Sequence, residues 1–169
     1  MTVKSKKRIR MRKREFARFL RAAKSLARRE GIRGLADYPH HGTTNRFTHS
    51  LAVAYLSCKI ADRLGIRCDK RSMIRGAILH DYFNYNRHDC PKKYRLHGFT
   101  HPSVALKNAV RDFDLNPIER DIIKKHMFPL TPTPPRYRES YLVSLADKIC
   151  ASYEFFKKNP YKRLSELFK

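Results

Sequence analysis

His49, the adjacent pair His80-Asp81 and Asp147 are the side chains of this sequence best suited to do chemistry, and His101 and His126 fall between the doublet and the last aspartate. Each sits on or beside the apolar face of a stretch with helical periodicity, so each is expected to point inward. An aspartate or histidine turned toward a core is costly unless it is paired or bound to a metal. One buried polynuclear metal centre therefore accounts for these residues more economically than a series of separate burials. Imidazole with carboxylate suits Mn, Fe, Zn, Co or Ni, and disfavours calcium or a thiolate-loving ion.

The elements that must position these residues can be read in order. Residues 1–12 read as disordered or frayed. A helix is predicted over 15–29, where Phe16, Phe19, Leu20, Ala23, Leu26 and Ala27 share one face and Arg18, Arg21, Lys24 and Arg28 the other. Gly31 and Gly34 are expected to end it. Residues 35–46 form a polar loop containing His40, His41, Gly42, Thr43 and Thr44. The next helix, over 48–64, places His49 with Ala52, Val53, Leu56 and Ile60 and closes at Gly65. A further helix over 70–85 carries Met73, Ile74 and Ala77 ahead of His80 and Asp81, whose side chains project about 100° apart. Both can reach one cluster from a single turn.

Residues 86–100 are polar and irregular, interrupted by Pro91. Pro102 fits the first turn of the following helix, which puts His101 at or beside its N-cap. Asn116-Pro117-Ile118-Glu119 is a strong helix start, and that helix ends near His126, one turn after Ile122 and Ile123. Pro129, Pro132, Pro134 and Pro135 exclude a helix interior. A last helix over 138–157 sets Asp147 one turn after Val143 and one before Cys150 and Ala151. No stretch alternates with period two, and no repeat is visible, so the expected fold is all-α. Its division is a basic segment and helix over 1–34, packed on a helical bundle over 35–169.

At 169 residues and 41% hydrophobic, the chain can bury one core. Cys58, Cys68, Cys90 and Cys150 lie far apart without a C-x-x-C pair, which points to reduced thiols in a cytoplasmic protein. The apolar run Leu51 to Leu56 is too short to span a bilayer, and the basic N-terminus lacks the apolar stretch of a signal peptide. The net charge is +23, and residues 1–30 hold 13 lysines and arginines against two glutamates. A field of that sign attracts polyanions such as nucleotides, RNA, DNA or anionic lipid. Nucleic acid is thus a possible partner of the N-terminal segment, whereas nothing in the sequence indicates an oligomeric state.

Set in Arg46-Phe47-Thr48-His49-Ser50, Ala77-Ile78-Leu79-His80-Asp81 and Leu145-Ala146-Asp147-Lys148, the ordered residues resemble the HD-domain superfamily of metal-dependent phosphohydrolases. The likeness spans roughly residues 40 to 157. It is strongest to small uncharacterised bacterial members sharing His97-Gly98-Phe99-Thr100-His101-Pro102, Lys125-His126-Met127 and Glu139-Ser140. The resemblance implies that His49, His80, Asp81 and Asp147 hold a first divalent metal, with His80 and Asp81 as the catalytic doublet. Members with two metals add two histidines. His101 and His126 match those positions, and Asp81 would then bridge. His97 is the rival of His101, but Gly98 leaves its backbone less fixed, so His101 is favoured and His97 is expected nearby as a substrate contact.

The implied reaction is hydrolysis of a phosphomonoester or diester of a nucleotide or related compound by a metal-activated hydroxide. Mn and Fe head the list of ions. Some HD phosphodiesterases carry a lysine four residues after the first residue of the doublet, where this chain has Asn84. Cationic help to the substrate would then come from Arg46 or Lys148, unless both are ordinary surface charges. Other members use the same ligands to hold two irons and activate O₂, so a di-iron oxygenase is an alternative. A nucleic-acid-binding protein with a structural metal centre is another.

Overall fold

The computed structural model describes residue 11, residues 13–85 and residues 97–168, with His97 described by its backbone alone. Most of what the sequence suggests for 1–12, all of it for 86–96, and the side chain of His97 lie outside the described residues. The described chain is all-α, in helices α1 (Lys13–Ala27), α2 (Glu30–Arg33), α3 (Arg46–Leu64), α4 (Lys70–Leu79), α5 (His97–Asp112), α6 (Pro117–Lys125), α7 (Arg138–Phe156) and α8 (Lys162–Ser165). Among the described residues the only extended pairing is an isolated bridge between Pro39 and Asn45. No described helix is long and apolar enough to cross a membrane.

Helix α3 runs through the middle, packed on α4 and α7, while α6 packs on α4, α5 and α7. Its buried residues include Leu51, Val53, Ala54 and Cys58, so it is covered on several sides. Helix α1 lays Phe19, Ala23 and Leu26 against the bundle and leaves Arg14, Arg18, Arg21 and Lys24 exposed. It ends at Ala27, before either glycine. The chain then turns inward because Ile32 and Leu35 are fully buried. Gly31 lies where a Cβ would stand 2.1 Å from the Tyr82 hydroxyl, so its lack of a side chain permits close approach rather than helix termination.

The helix starts follow local chemistry. Asn45 accepts the Thr48 backbone N–H (2.8 Å), which begins α3 two residues before the position suggested by hydrophobic periodicity. Asp69 caps α4 through the Ser72 N–H and hydroxyl. Asn116 and Glu119 form a capping box with Pro117 in the first turn of α6. The starts of α4, α6 and α7 are tied together, because Asn116 donates to the Ser72 hydroxyl (2.7 Å) and Glu139, at the start of α7, accepts the Asp69 N–H (2.8 Å). At the crossing of α4 and α6, a Cβ on Gly76 would lie 2.7 Å from Ile122 Cδ1. The two backbones therefore approach closely, and the ends of both helices arrive at the same place.

Two further boundaries differ from the expected ones, and both bear on the site. Helix α4 stops at Leu79 rather than running to Tyr85. The His80 ring N–H bonds the Ala77 carbonyl (2.7 Å), so it takes an acceptor that helix continuation requires. His80 and Asp81 thus stand in a turn at the helix end, where successive side chains are less constrained than on a cylinder. Helix α5 begins at His97, so Pro102 lies inside it and His101 is helical rather than an N-cap.

Candidate metal centre

The six predicted donors come from five places in the chain and converge. His49 lies on α3, His80 and Asp81 follow α4, His101 is on α5, His126 follows α6, and Asp147 is on α7. All six are buried. His49 Nε2 lies 3.0 Å from Asp147 Oδ1, and His80 Nε2 lies 3.6 Å from both Asp81 Oδ2 and Asp147 Oδ1. On the other side, Asp81 Oδ1 is 3.4 Å from His101 Nε2 and 3.7 Å from His126 Nε2, and those two nitrogens are 2.8 Å apart. Asp81 faces both halves.

The donor atoms lie close enough together to share metal ions. Two ligands about 2.1 Å from one ion stand roughly 3.0–3.4 Å apart, from right-angled to tetrahedral geometry. The buried atoms His80 Nε2 and Asp81 Oδ1 have no hydrogen-bond partner. Leaving such groups unsatisfied costs free energy unless a cation occupies the space between them. The ring of His126 also bonds the Ile123 carbonyl (2.9 Å) through Nδ1, as His80 does with Ala77. In each ring the bond made by Nδ1 leaves Nε2 aimed at the cluster. Donor triads His49-His80-Asp147 and His80-Asp81-His126 each have their atoms within 4.8 Å of one another.

The groups of the cluster are strongly coupled to one another. Burial, with His80 and His101 close by, pushes His126 down to about 3, so it is a neutral donor. Burial raises the carboxyls of Asp81 and Asp147, but the surrounding imidazoles outweigh it and hold both well below the usual range. At His49 burial opposes the charged form, yet the Asp147 and Glu154 carboxylates lift the group to about 10.

The remaining site predictions divide. Asn84 is exposed just beyond the doublet. Arg46 is buried and Lys148 half-buried, and both are engaged with backbone carbonyls. Arg46 is 2% exposed. Its terminal nitrogens donate to the carbonyls of Phe83 (2.6 Å) and Tyr85 (3.1 Å), and its guanidinium lies over the Phe83 ring at 3.8 Å. From α3 it clamps the chain that leaves Asp81. Lys148 donates to the His126 carbonyl (2.9 Å) and the Ser144 hydroxyl (3.0 Å), fixing the end of α6. Lys148 meets a carbonyl left unpaired at the end of α6, whereas Arg46 serves carbonyls of the irregular segment after α4.

Sequence reasoning missed His40 and Glu154. Glu154 is buried on α7, two turns after Asp147 on the same face, and its carboxylate bonds His49 Nδ1 (2.8 Å) and His40 Nδ1 (3.0 Å). His40 Nε2 lies 3.3 Å from Asp81 Oδ2. The spacing of Asp147 and Glu154 was the available signal, since a second acid seven residues on shares the helix face. His40 comes from the loop before α3, where periodicity says nothing.

The sequence model of the HD domain family matches residues 46–152. No curated protein and no solved structure matches the chain. The family match covers more than half of the sequence and takes in all six predicted donors, and the chain belongs to the HD domain family.

Proposed function

We propose that this protein is a metal-dependent phosphohydrolase, cleaving a phosphomonoester or diester of a nucleotide or related compound at a centre of two divalent ions, Mn²⁺ or Fe²⁺ first among them. The observation that carries the reading is the pair of buried, unpartnered donor atoms, His80 Nε2 and Asp81 Oδ1, at the meeting point of four further imidazole and carboxylate groups. His49, His80, Asp81 and Asp147 would hold one ion, and Asp81, His101 and His126 the other. Divalent ions held there acidify water and neutralise phosphoryl oxygens as charge develops.

The protein's own part is preorganisation. Carbonyls of Ala77 and Ile123 hold the protons of His80 and His126 away from the cluster, and Glu154 does the same for His49. The donor set is thus arranged before substrate arrives, which reduces reorganisation during reaction. Arg46 and Lys148 hold the two segments that carry Asp81 and His126. The exposed Asn84 is left as the amide beside the doublet that can hydrogen-bond a substrate. The +23 charge and the exposed basic face of α1 favour an anionic substrate, nucleic acid included.

Phosphate release from a panel of nucleotides, dinucleotides and short RNAs, with Mn²⁺ or Fe²⁺ supplied, tests the proposal. Release from at least one class is expected, and none without added metal after chelation. Silence across the panel by metal-loaded protein, especially with O₂ consumption, would overturn it.

A further inference from the structure

His40 has the placement of a ligand rather than of a loop residue. Its backbone N–H bonds the Thr44 carbonyl (2.9 Å), closing a short loop whose Gly42 has φ +56°. A Cβ on Gly42 would lie 2.6 Å from the Glu154 carbonyl, so the loop is seated directly on α7. The His40 ring stacks on His49, with centroids 3.7 Å apart and planes 23° from parallel. One buried carboxylate backs both rings, Glu154 Oε1 on His49 Nδ1 at 2.8 Å and Oε2 on His40 Nδ1 at 3.0 Å. A carboxylate behind a ligand histidine fixes its tautomer and orientation. Glu154 does this twice.

The consequence lies at the other nitrogen. Nε2 of His40 faces Asp81 Oδ2 at 3.3 Å, a separation that two ligands of one ion can adopt. His40, His49 and Asp81 offer donor atoms that all lie within 4.8 Å of one another. His40 and Glu154 both fall outside the 46–152 stretch matched by the family.

We propose that His40 is a seventh metal ligand of this centre, bound at the ion held by His49, and that Glu154 is the positioning residue that orients both imidazoles. This rests on the metal-centre reading above and adds to it a ligand from the loop before α3. The loop thereby gains a reason to be ordered, since metal binding ties it to α3 and α7.

Cobalt(II) binding tests this without reference to turnover. Full-length wild type, His40→Ala and Glu154→Gln, each checked for fold by circular dichroism, are titrated with Co²⁺ while the visible d–d bands are followed. His40→Ala is expected to shift those bands and weaken one Co²⁺ by at least about 10–100-fold, the range known for outer partners of ligands. Added imidazole should restore the spectrum. Glu154→Gln should weaken the same ion, because an amide cannot accept from both rings. Unchanged bands and affinity in His40→Ala would overturn the proposal while leaving the metal centre intact. Failure of wild type to bind Co²⁺ would overturn both.

Discussion

Replacing Asp81 with alanine is expected to empty the centre of metal and abolish phosphate release. Loss of a residue that merely supports a ligand costs about 10–100-fold in metal affinity or activity. Asp81 faces His40 and His80 with one oxygen and His101 and His126 with the other. It is the group in the cluster that reaches both halves, so the expected loss of activity is at least about 10³-fold, beyond that of a single electrostatic donor. The fold should survive, because Asp81 caps no described helix and its side-chain partners are the imidazoles of the cluster. Metal analysis and phosphate release on the same preparation check this. Full occupancy in Asp81→Ala would remove the residue from the ligand set.

The largest effect on stability is expected at Arg46. Truncation to alanine removes the charged hydrogen bonds to the carbonyls of Phe83 and Tyr85 and the plane stacked on Phe83. Each lost charged hydrogen bond costs about 1–3 kcal/mol, and the stacked cation adds roughly 1–2 kcal/mol. A total near 4 kcal/mol corresponds to a fall in Tm of about 8–16 °C for a domain of this size. Arg46→Lys should recover only part of that, since an ammonium cannot present a planar fork to two carbonyls while lying flat on a ring. Thermal and urea unfolding measure it. A Tm within about 2 °C of wild type would mean that the clamp does not hold the segment after the doublet.

Much of this architecture could be read from the sequence where local chemistry decides it. Gly65 closes α3 with φ +63°, and Asn116, Pro117 and Glu119 open α6, as their residue types require. The donors were legible because charged and imidazole groups on apolar faces are rare. The misreadings arise where a side chain competes with the backbone. His80 ends α4 by taking the Ala77 carbonyl, a bond that hydrophobic spacing does not reveal. Arg46 resembles any arginine at the start of a helix until the chain returns two carbonyls to it from 37 and 39 residues away. His40 and Glu154 required tertiary structure for the same reason, their contact spanning 114 residues.

Metal stoichiometry of the wild-type protein is the most direct test of the central claim. Protein loaded with Mn²⁺ or Fe²⁺ under anaerobic conditions, freed of excess ion and analysed by mass spectrometry of the elements, is predicted to hold two ions per chain. One ion would contradict the second site formed by Asp81, His101 and His126. None would contradict the centre itself.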